Sequence, residues 1–263
     1  MQRYFVPAEQ FTESAVVLSG DDAHHAVRVM RMQPGDRFIC SNGEGREALV
    51  VVTEIDKATL TAKIVEELPL TAEPQVQVWI AQSLPKGDKM ESVIQKCTEI
   101  GAARFIPFIS ERTIVHYDGK KEARRLERWR KIAKEAAEQA HRNRVPQIDE
   151  PLSWPMLLKQ VEHVDLACFA YEKENVQQLR EHLIRLEHLH RQQPIPENNR
   201  MVVLLIIGPE GGFTEREVAD AEAAGCKSIS LGRRILRTET AAMVGLTCIL
   251  YEFGEMGDKP CQL

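Results

Sequence analysis

The fold is decided by residues 204–241. They begin with LLIIGPEGGFT (204–214) and end with SLGRRILRTETA (230–241). The apolar run 201–207 has the length and branching of a strand buried on both faces, and it stops at a glycine-rich turn. A second short strand, 228–231, leads into another glycine turn that carries arginines. Two glycine-marked strand ends that both lead into helices predict a ligand site at the carboxyl edge of a parallel sheet.

The helices after these turns carry their own end signals. Thr214 and Glu217 have the spacing of a capping box, and Gly225 lies where that helix should end. Thr238 is placed to cap the last helix, residues 239–251. The pattern therefore predicts strand, turn and helix twice in succession.

Composition indicates an ordinary soluble globular protein. The chain of 263 residues is 43% hydrophobic and 28% charged, and its net charge is −5. No apolar run reaches the roughly 18 residues of a membrane span, and residues 1–11 lack the apolar core of a signal peptide. We therefore expect a cytoplasmic protein with one large domain or two of ordinary size.

Cysteine and histidine spacing predicts no metal site. The six cysteines form no C-x-x-C pair, and Cys97 and Cys248 fall on apolar faces of predicted helices. They are therefore expected to be reduced and mostly buried thiols. The eight histidines include no H-E-x-x-H pattern.

The distribution of charge is uneven. Residues 119–144 contain ten Lys/Arg against four Asp/Glu, in a chain whose net charge is negative. Such a segment can be a solvated helix face, or it can contact a polyanion on one side of an acidic protein.

Residues 1–71 predict a small barrel or curled sheet. Short β-prone runs alternate with turns, and one helical piece, 22–29, interrupts them with Asp21 as its cap. Arg28, Arg31 and Arg37 near that piece are either solvated charges or part of a phosphate-contacting edge. A linker-like segment, 69–74, follows.

Residues 75–263 predict an α/β domain with a mainly parallel sheet of about five or six strands. Strands are expected at 76–81, 104–109 and 164–171 in addition to those of the opening stretch. Helices are expected at 89–100, 120–141 and 176–190, before a connector that ends at residue 200.

The glycine turn after residue 207 matches no G-x-S-x-G, Walker A or G-x-G-x-x-G motif, and alone it could be a plain strand-to-helix connection. Two adjacent loops with free backbone groups suit a nucleoside between apolar walls. Ile235 and Leu236 are either those walls or a plug against the core.

The two loops together resemble the C-terminal signature of SPOUT methyltransferases. Most closely they resemble the bacterial 16S ribosomal RNA (uracil(1498)-N3)-methyltransferase family, RsmE. The resemblance extends to AQSLPKGDKMESVIQKCTEIG (81–101), RWRKIAKEAAEQAHRNRVP (128–146) and HHAVRVMRMQPGD (24–36). It covers nearly the whole chain in order, and residues 176–200 are the least family-like part.

This resemblance implies a PUA-like, RNA-binding β-barrel over 1–71 and a SPOUT domain over 75–263, with a deep trefoil knot at about 201–255. It implies a homodimer and S-adenosylmethionine as cofactor. The implied cofactor-binding residues are Ile207, Gly208, Gly212, Leu231, Gly232, Ile235, Leu236, Arg237, Thr240 and Ala241.

Methylation of uracil N3 requires loss of a proton and stabilisation of the resulting negative charge. Arg237 and Glu239 are the candidate pair, with Arg233 or Arg234 as another possible stabilising guanidinium and Glu210 as another possible proton acceptor. Glu239 could instead complement the helix N-terminus. Candidate RNA contacts, by the resemblance and by charge, are Arg28, Arg31, Arg128, Lys131, Arg142, Arg144 and Arg233.

Two alternatives to the methyltransferase remain open. A ribosome- or RNA-binding protein could keep the fold without transfer activity, although it would have little need for two open glycine loops. An α/β enzyme that binds another nucleotide is the third alternative.

Overall fold

The computed structural model describes residues 1–114, 119–171, 178–192 and 200–257. The chain forms two compact units. The first contains Met1–Glu73 together with Lys134–Val145, and the second contains Pro74–Ala133 and Pro146–Leu263. The sequence pattern places a boundary between residues 71 and 75, but it does not anticipate that the chain returns to the first unit.

The first unit contains a five-stranded sheet. Its strands are β1 Arg3–Phe5, β2 Ala15–Ser19, β3 Arg37–Ser41, β4 Glu47–Ile55 and β5 Thr59–Glu67. The order is β1-β3-β4-β5-β2, in which β1 is parallel to β3 and the other pairs are antiparallel. The register of β4 with β5 shifts twice, and such irregularities bend a strand. The predicted β-rich first domain is confirmed.

One helical segment interrupts this sheet. The helix α1, Gly20–His24, continues into a π-helical turn, His25–Val29. The prediction that Asp21 caps this helix is wrong, because the cap position is Ser19 and no side chain makes a capping hydrogen bond.

A buried ion pair holds residues 142–144 within the first unit. Arg142 is 4% exposed, and its Nε and Nη2 donate to the two carboxylate oxygens of Glu73 at 3.2 and 2.6 Å. The backbone N–H groups of Asn143 and Arg144 donate to Glu73 as well. The prediction that Arg142 contacts RNA is therefore wrong, because its guanidinium is buried and bonded within the protein.

The second unit contains a seven-stranded sheet in which every pair is parallel. The strands are β6 Gln77–Ser83, β7 Arg104–Ile109, β8 Gln147–Ile148, β9 Leu152–Ser153, β10 Leu166–Ala170, β11 Val202–Ile207 and β12 Lys227–Ile229. Their order is β12-β10-β11-β6-β7-β8, and β9 also pairs with β7. The predicted parallel sheet is confirmed, with two very short strands, β8 and β9, beyond the expected number.

Six further α-helices lie in the described part of the chain. The predicted bounds of 89–100 are confirmed, whereas the long basic helix ends at Gln139, shortly before His141 adopts a positive φ of 57°. Residues 172–177 and 193–199, which belong to the predicted polar helix 176–190 and the segments beside it, lie outside the described residues. The helices are α2 Lys89–Ile100, α3 Gly119–Gln139, α4 Trp154–Leu158, α5 Leu179–Gln192, α6 Glu215–Ala223 and α7 Thr238–Glu252, with 3-10 turns at Ala8–Gln10 and Lys159–His163.

The last helix packs directly on the central strand β11. A Cβ added at Gly245 of α7 would stand 2.5 Å from Leu205 Cδ2, so only glycine permits this approach. Strand order reverses around β11 and β6, and such reversals are where parallel sheets bind ligands. The knot over residues 201–255 stays a prediction, because strand order alone does not determine how a chain passes through its own loops.

Four of the five described cysteines, Cys40, Cys97, Cys168 and Cys226, are buried free thiols, as predicted. Cys248 is exposed on α7, so the expectation of an inward-facing thiol is wrong there.

Within the described ranges, no helix is long and apolar enough to cross a membrane.

Candidate cofactor-binding and catalytic site

A cavity of about 460 Å³ opens where β10, β11 and β12 end. Ala170, Ile207 and Ile229, the last residues of these three strands, all line it. Its remaining walls come mainly from the glycine turn after β11 and from the loop between β12 and α7. The cavity therefore lies at the carboxyl edge of the sheet, where the sequence predicts a ligand site.

The structure brings the predicted cofactor-binding residues together around this cavity, with one exception. Thr240 lies in the first turn of α7 and is not among the lining residues. The lining residues that were predicted are Ile207, Gly208, Gly212, Leu231, Gly232, Ile235, Leu236, Arg237 and Ala241.

The first glycine turn is held by tight packing and by the helix that follows it. A Cβ at Gly208 would stand 3.1 Å from the ring of Phe213, and Gly212 has a positive φ of 66°. Thr214 and Glu217 form the predicted capping box at the start of α6. Side chains larger than hydrogen would therefore disturb this turn at two positions.

The helix α6 ends as predicted at a glycine. Gly225 has a φ of 94°, and its N–H donates to the carbonyl of Glu222. The next N–H, that of Cys226, donates to the carbonyl of Ala221, which completes a Schellman motif. This ending directs the chain into β12 and the second glycine turn.

The second loop presents apolar and basic side chains together. Gly232 has a φ of 105°, and a Cβ there would meet no atom within 4 Å. Ile235 is 90% exposed and lines the cavity, so the alternative that it plugs the core is wrong. Arg233 and Arg237 are exposed in the same loop.

Thr238 connects the two loops instead of capping α7. The cap position is Arg237, and no capping side-chain hydrogen bond is present. Thr238 Oγ1 donates to the carbonyl of Gly208 at 2.6 Å and accepts from Gln82 Nε2 at 2.8 Å. The predicted cap is therefore wrong, and the hydroxyl joins the cavity loops to the end of β6.

Two carboxylates and one lysine lie beside the cavity. Lys89 Nζ donates to Glu210 Oε1 at 2.7 Å and lies 4.0 Å from Glu239 Oε2. Glu239 Oε2 is buried and accepts no hydrogen bond from the described residues. Of the predicted catalytic pair, Arg237 lines the cavity, whereas Glu239 is not among the lining residues.

The contact between Lys89 and Glu210 fixes the charge of both groups. Burial alone would raise the pKa of the Glu210 carboxyl, but hydrogen bonds from Lys89 and from the backbone of Glu210 and Lys86 outweigh it and lower that pKa. The same hydrogen bond to Glu210 raises the pKa of Lys89. Both groups are therefore charged at neutral pH. The sequence offered no sign of this pairing, because Lys89 and Glu210 are far apart in the chain.

The remaining predicted RNA-contacting residues are exposed within their own units. In the first unit these are Arg28, Arg31 and Arg144, and in the second they are Arg128, Lys131 and Arg233. Arg31 adopts a positive φ of 56°, which is uncommon for a residue with a side chain.

In the described residues, no group of three His, Cys, Asp or Glu could hold a metal ion.

Comparison with known families gives two matches along the chain. Residues 72–250 match the RNA methyltransferase domain, and residues 18–65 match the RNA methyltransferase PUA domain. The cavity and its loops fall within the first match, whereas β2 to β5 account for most of the second.

Named relatives and solved structures cover nearly the whole chain. Ribosomal RNA small subunit methyltransferase E of Bacillus subtilis is 40% identical over 96% of this chain and 97% of its own length. The structure of the protein of that name from Neisseria gonorrhoeae, bound to S-adenosylmethionine, has a TM-score of 0.80 at 28% identity and covers 95% of this chain and 97% of that one. A methyltransferase from Legionella pneumophila with the same bound cofactor has a TM-score of 0.80 at 29% identity, over 95% and 96% of the two chains. The chain therefore belongs to the RNA methyltransferase family of ribosomal RNA small subunit methyltransferase E.

Proposed function

We propose that this protein transfers a methyl group from S-adenosylmethionine to N3 of a uridine in 16S ribosomal RNA of the small subunit, in the cytoplasm. The observation that carries the proposal is the cavity bounded by two glycine-marked loops at the carboxyl ends of β10, β11 and β12. The small-subunit ribosomal RNA methyltransferases among the relatives and the solved structures with bound cofactor support it.

The residues around the cavity fit S-adenosylmethionine. The cavity of about 460 Å³ lies within the range of roughly 300–1,000 Å³ that is usual for small-molecule sites. The open space beside Gly232 lets its backbone approach a ligand closely. Ile207 and Leu231 supply apolar walls for an adenine ring.

When bound, S-adenosylmethionine supplies a methyl group activated by its sulfonium charge and leaves as S-adenosylhomocysteine. The residues of the chain then have to orient the uridine and remove the proton from N3. We assign proton acceptance to Glu239, whose buried Oε2 receives no hydrogen bond from the described residues. Arg237 lines the cavity and is placed to stabilise the negative charge that spreads onto the uracil carbonyl oxygens.

Glu210 is the weaker candidate for proton acceptance, because Lys89 and the Lys86 backbone already bond its Oε1. Glu239 also has a competing role, since a carboxylate in the first turn of α7 complements the helix dipole. A Glu239→Gln variant separates these roles when S-adenosylhomocysteine affinity and methyl transfer are measured independently. Unchanged transfer would remove Glu239 from the chemistry.

We also infer that the exposed basic residues bind ribosomal RNA. The domain over 1–71 would contribute Arg28 and Arg31, and Arg144 is exposed in the same unit. In the second unit the exposed candidates are Arg128, Lys131 and Arg233. Such contacts release counterions, so RNA affinity should fall as salt rises. Affinity that is insensitive to salt would refute these contacts.

We propose that the protein is a homodimer in which α7 packs against the second copy of the chain. Tyr251 is 68% exposed and Cys248 is exposed on this helix, which is otherwise strongly apolar. Exposed apolar surface of this kind is usual where a second chain packs. Light scattering should give about twice the chain mass of 29.8 kDa, whereas a monomer at micromolar concentration would contradict the dimer.

A direct test of the function uses tritiated S-adenosylmethionine with small subunits or 16S RNA that lack the modification. Transfer that maps to N3 of one uridine supports the proposal. Tight binding of S-adenosylhomocysteine without any transfer would favour the non-catalytic RNA-binding protein, and absence of such binding would favour an enzyme that uses another nucleotide.

A further inference from the structure

Lys89 joins two cavity segments that are distant in the sequence. It is the first residue of α2, and its Nζ donates to Glu210 Oε1 at 2.7 Å. The backbone N–H of Lys86 donates to the same oxygen at 3.2 Å. The loop before α2 is therefore fixed to the glycine turn after β11.

The same ammonium group faces a second carboxylate. Glu239 Oε2 lies 4.0 Å from Lys89 Nζ, and this is the one ion pair of Glu239 among the described residues. The oxygen is buried and accepts no hydrogen bond from them. A buried carboxylate oxygen without a donor is unfavourable unless a ligand supplies the donor. The N3–H group of a bound uracil is such a donor.

The two distances give the carboxylates different tasks. Glu210 receives the direct hydrogen bond and keeps Lys89 in place, with the Lys89 ammonium held charged by that bond. Glu239 Oε2 lies close enough to the Lys89 ammonium to be attracted by it, but it accepts no hydrogen bond from the described residues. Arg237 also acts electrostatically on Lys89, and the carboxylate of Glu210 offsets the repulsion between these two cations.

We propose that Lys89 is a positioning residue for methyl transfer: its ammonium, held by Glu210, lies beside Glu239 Oε2 and leaves that oxygen without a hydrogen bond, so that it can accept the uracil N3 proton. This role rests on the proposed function. Lys89 itself neither takes nor gives a proton: the N3–H bond breaks, the new O–H bond forms on Glu239, and the ammonium group stays bonded to Glu210 throughout.

The test compares Lys89→Met with Lys89→Arg, and it uses Lys96→Met as the matched control. Lys96 lies on the same helix, pairs with Glu99 at 3.0 Å and is not among the cavity-lining residues. Calorimetry with S-adenosylhomocysteine measures cofactor affinity, and methyl transfer to small-subunit RNA gives kcat and KM. Lys89→Met should lower kcat by about 10- to 100-fold, the scale expected when proton transfer is impaired.

The other readouts separate positioning from a structural role. In Lys89→Met the affinity for S-adenosylhomocysteine and the KM for RNA should each change less than about threefold. A loss of kcat without a loss of binding shows that the missing interaction acts in the transition state. Lys89→Arg should recover kcat to within about fivefold of the wild type because it restores the charge. Lys96→Met should match the wild type. Unchanged kcat in Lys89→Met, or cofactor affinity lost in step with kcat without rescue by arginine, would overturn the proposal.

A double variant tests whether Lys89 acts through Glu239. In a Glu239→Gln background, Lys89→Met should lower kcat further by less than about threefold, because coupled residues are not additive. A full additional loss would overturn the coupling. If the wild type transfers no methyl group, the proposed function fails together with this role. If the wild type is active but the Lys89 variants do not behave as expected, only the role of Lys89 fails.

Discussion

Thr238 Oγ1 donates a hydrogen bond of 2.6 Å to the carbonyl oxygen of Gly208. The same hydroxyl accepts one of 2.8 Å from Gln82 Nε2. These three residues come from the end of β6, the turn after β11 and the start of α7. A single buried hydroxyl therefore connects the central sheet to both loops of the cavity.

Replacing Thr238 by valine should loosen the cofactor site. The change keeps the shape of the side chain but removes the partner of the half-buried Gly208 carbonyl and of the buried Gln82 amide, which costs about 1–3 kcal/mol of unfolding free energy. We expect the affinity for S-adenosylhomocysteine to fall about tenfold by calorimetry, which corresponds to ~1.4 kcal/mol. Thr53→Val serves as the control: it removes an exposed hydrogen bond, from Thr53 Oγ1 to the Thr61 carbonyl at 3.1 Å in the first unit, and should leave the cofactor affinity unchanged. An unaltered cofactor affinity in Thr238→Val would contradict the positioning of Gly208 by this hydroxyl.

Gly245→Ala should destabilise the protein although alanine is the better helix former. Helix propensity favours alanine by roughly 1 kcal/mol. The added Cβ, however, would stand 2.5 Å from Leu205 Cδ2 in a fully buried region, and overpacking of this kind costs about 1–3 kcal/mol. Urea unfolding should give a lower free energy for Gly245→Ala. Gly245→Ala should cost less in a Leu205→Ala background, where the clash is absent, and a more stable single variant would show that α7 does not pack on β11 as described.

Stability of the first unit should depend on the protonation of Glu138. Its side chain is 14% exposed, and its Oε1 accepts a hydrogen bond from the Phe5 N–H at 3.0 Å. Burial raises the pKa of the Glu138 carboxyl from 4.5 to about 7. Between these two pH values the folded protein keeps a proton that the unfolded chain has lost. This contribution to stability is therefore complete below pH 4.5 and is lost as pH rises through about 7.

The Glu138 prediction is checked by urea unfolding between pH 5 and pH 8. The wild type should lose about 1–3 kcal/mol across this interval because of Glu138. Glu138→Gln stays neutral throughout and should remove that part of the slope. Identical slopes for the two proteins would show that Glu138 does not hold a proton in the folded state at neutral pH.

Arg142 and Arg128 should respond in opposite ways to replacement. Arg142→Ala leaves the buried Glu73 carboxylate without its guanidinium partner, which typically costs about 3–5 kcal/mol of unfolding free energy. Arg128 pairs with Glu91 at the surface, so Arg128→Ala should leave stability nearly unchanged. RNA binding should show the reverse, with the slope of affinity against salt reduced by about one for Arg128→Ala. A large loss of unfolding free energy in Arg128→Ala would show that Arg128 stabilises the fold, which would contradict its assignment as a surface RNA contact.

Features determined by local sequence could be predicted well. The capping box of Thr214 and Glu217, the glycine that ends α6 and the bounds of α2 follow from neighbouring residues. The two glycine turns also revealed the position of the cavity, because each follows an apolar strand. These features need only spacing and residue type.

Features that depend on distant contacts could not be predicted in this way. Thr238 has the local signature of a helix cap, but Gly208 and Gln82 compete for its hydroxyl. The charge of Arg142 suggests a surface contact until its pairing with Glu73 is known. Lys89 resembles a solvated lysine because both of its carboxylate partners lie more than a hundred positions away.

Methylation of one uridine at N3 in small-subunit RNA is the activity that we propose for this protein. Mass spectrometry of nucleosides from 16S ribosomal RNA, taken from cells that make this protein and from cells that lack it, tests this activity most directly. We predict that N3-methyluridine is present in the first RNA, absent from the second and restored by the wild-type protein. An equal amount of N3-methyluridine in both RNAs would contradict the proposed methylation.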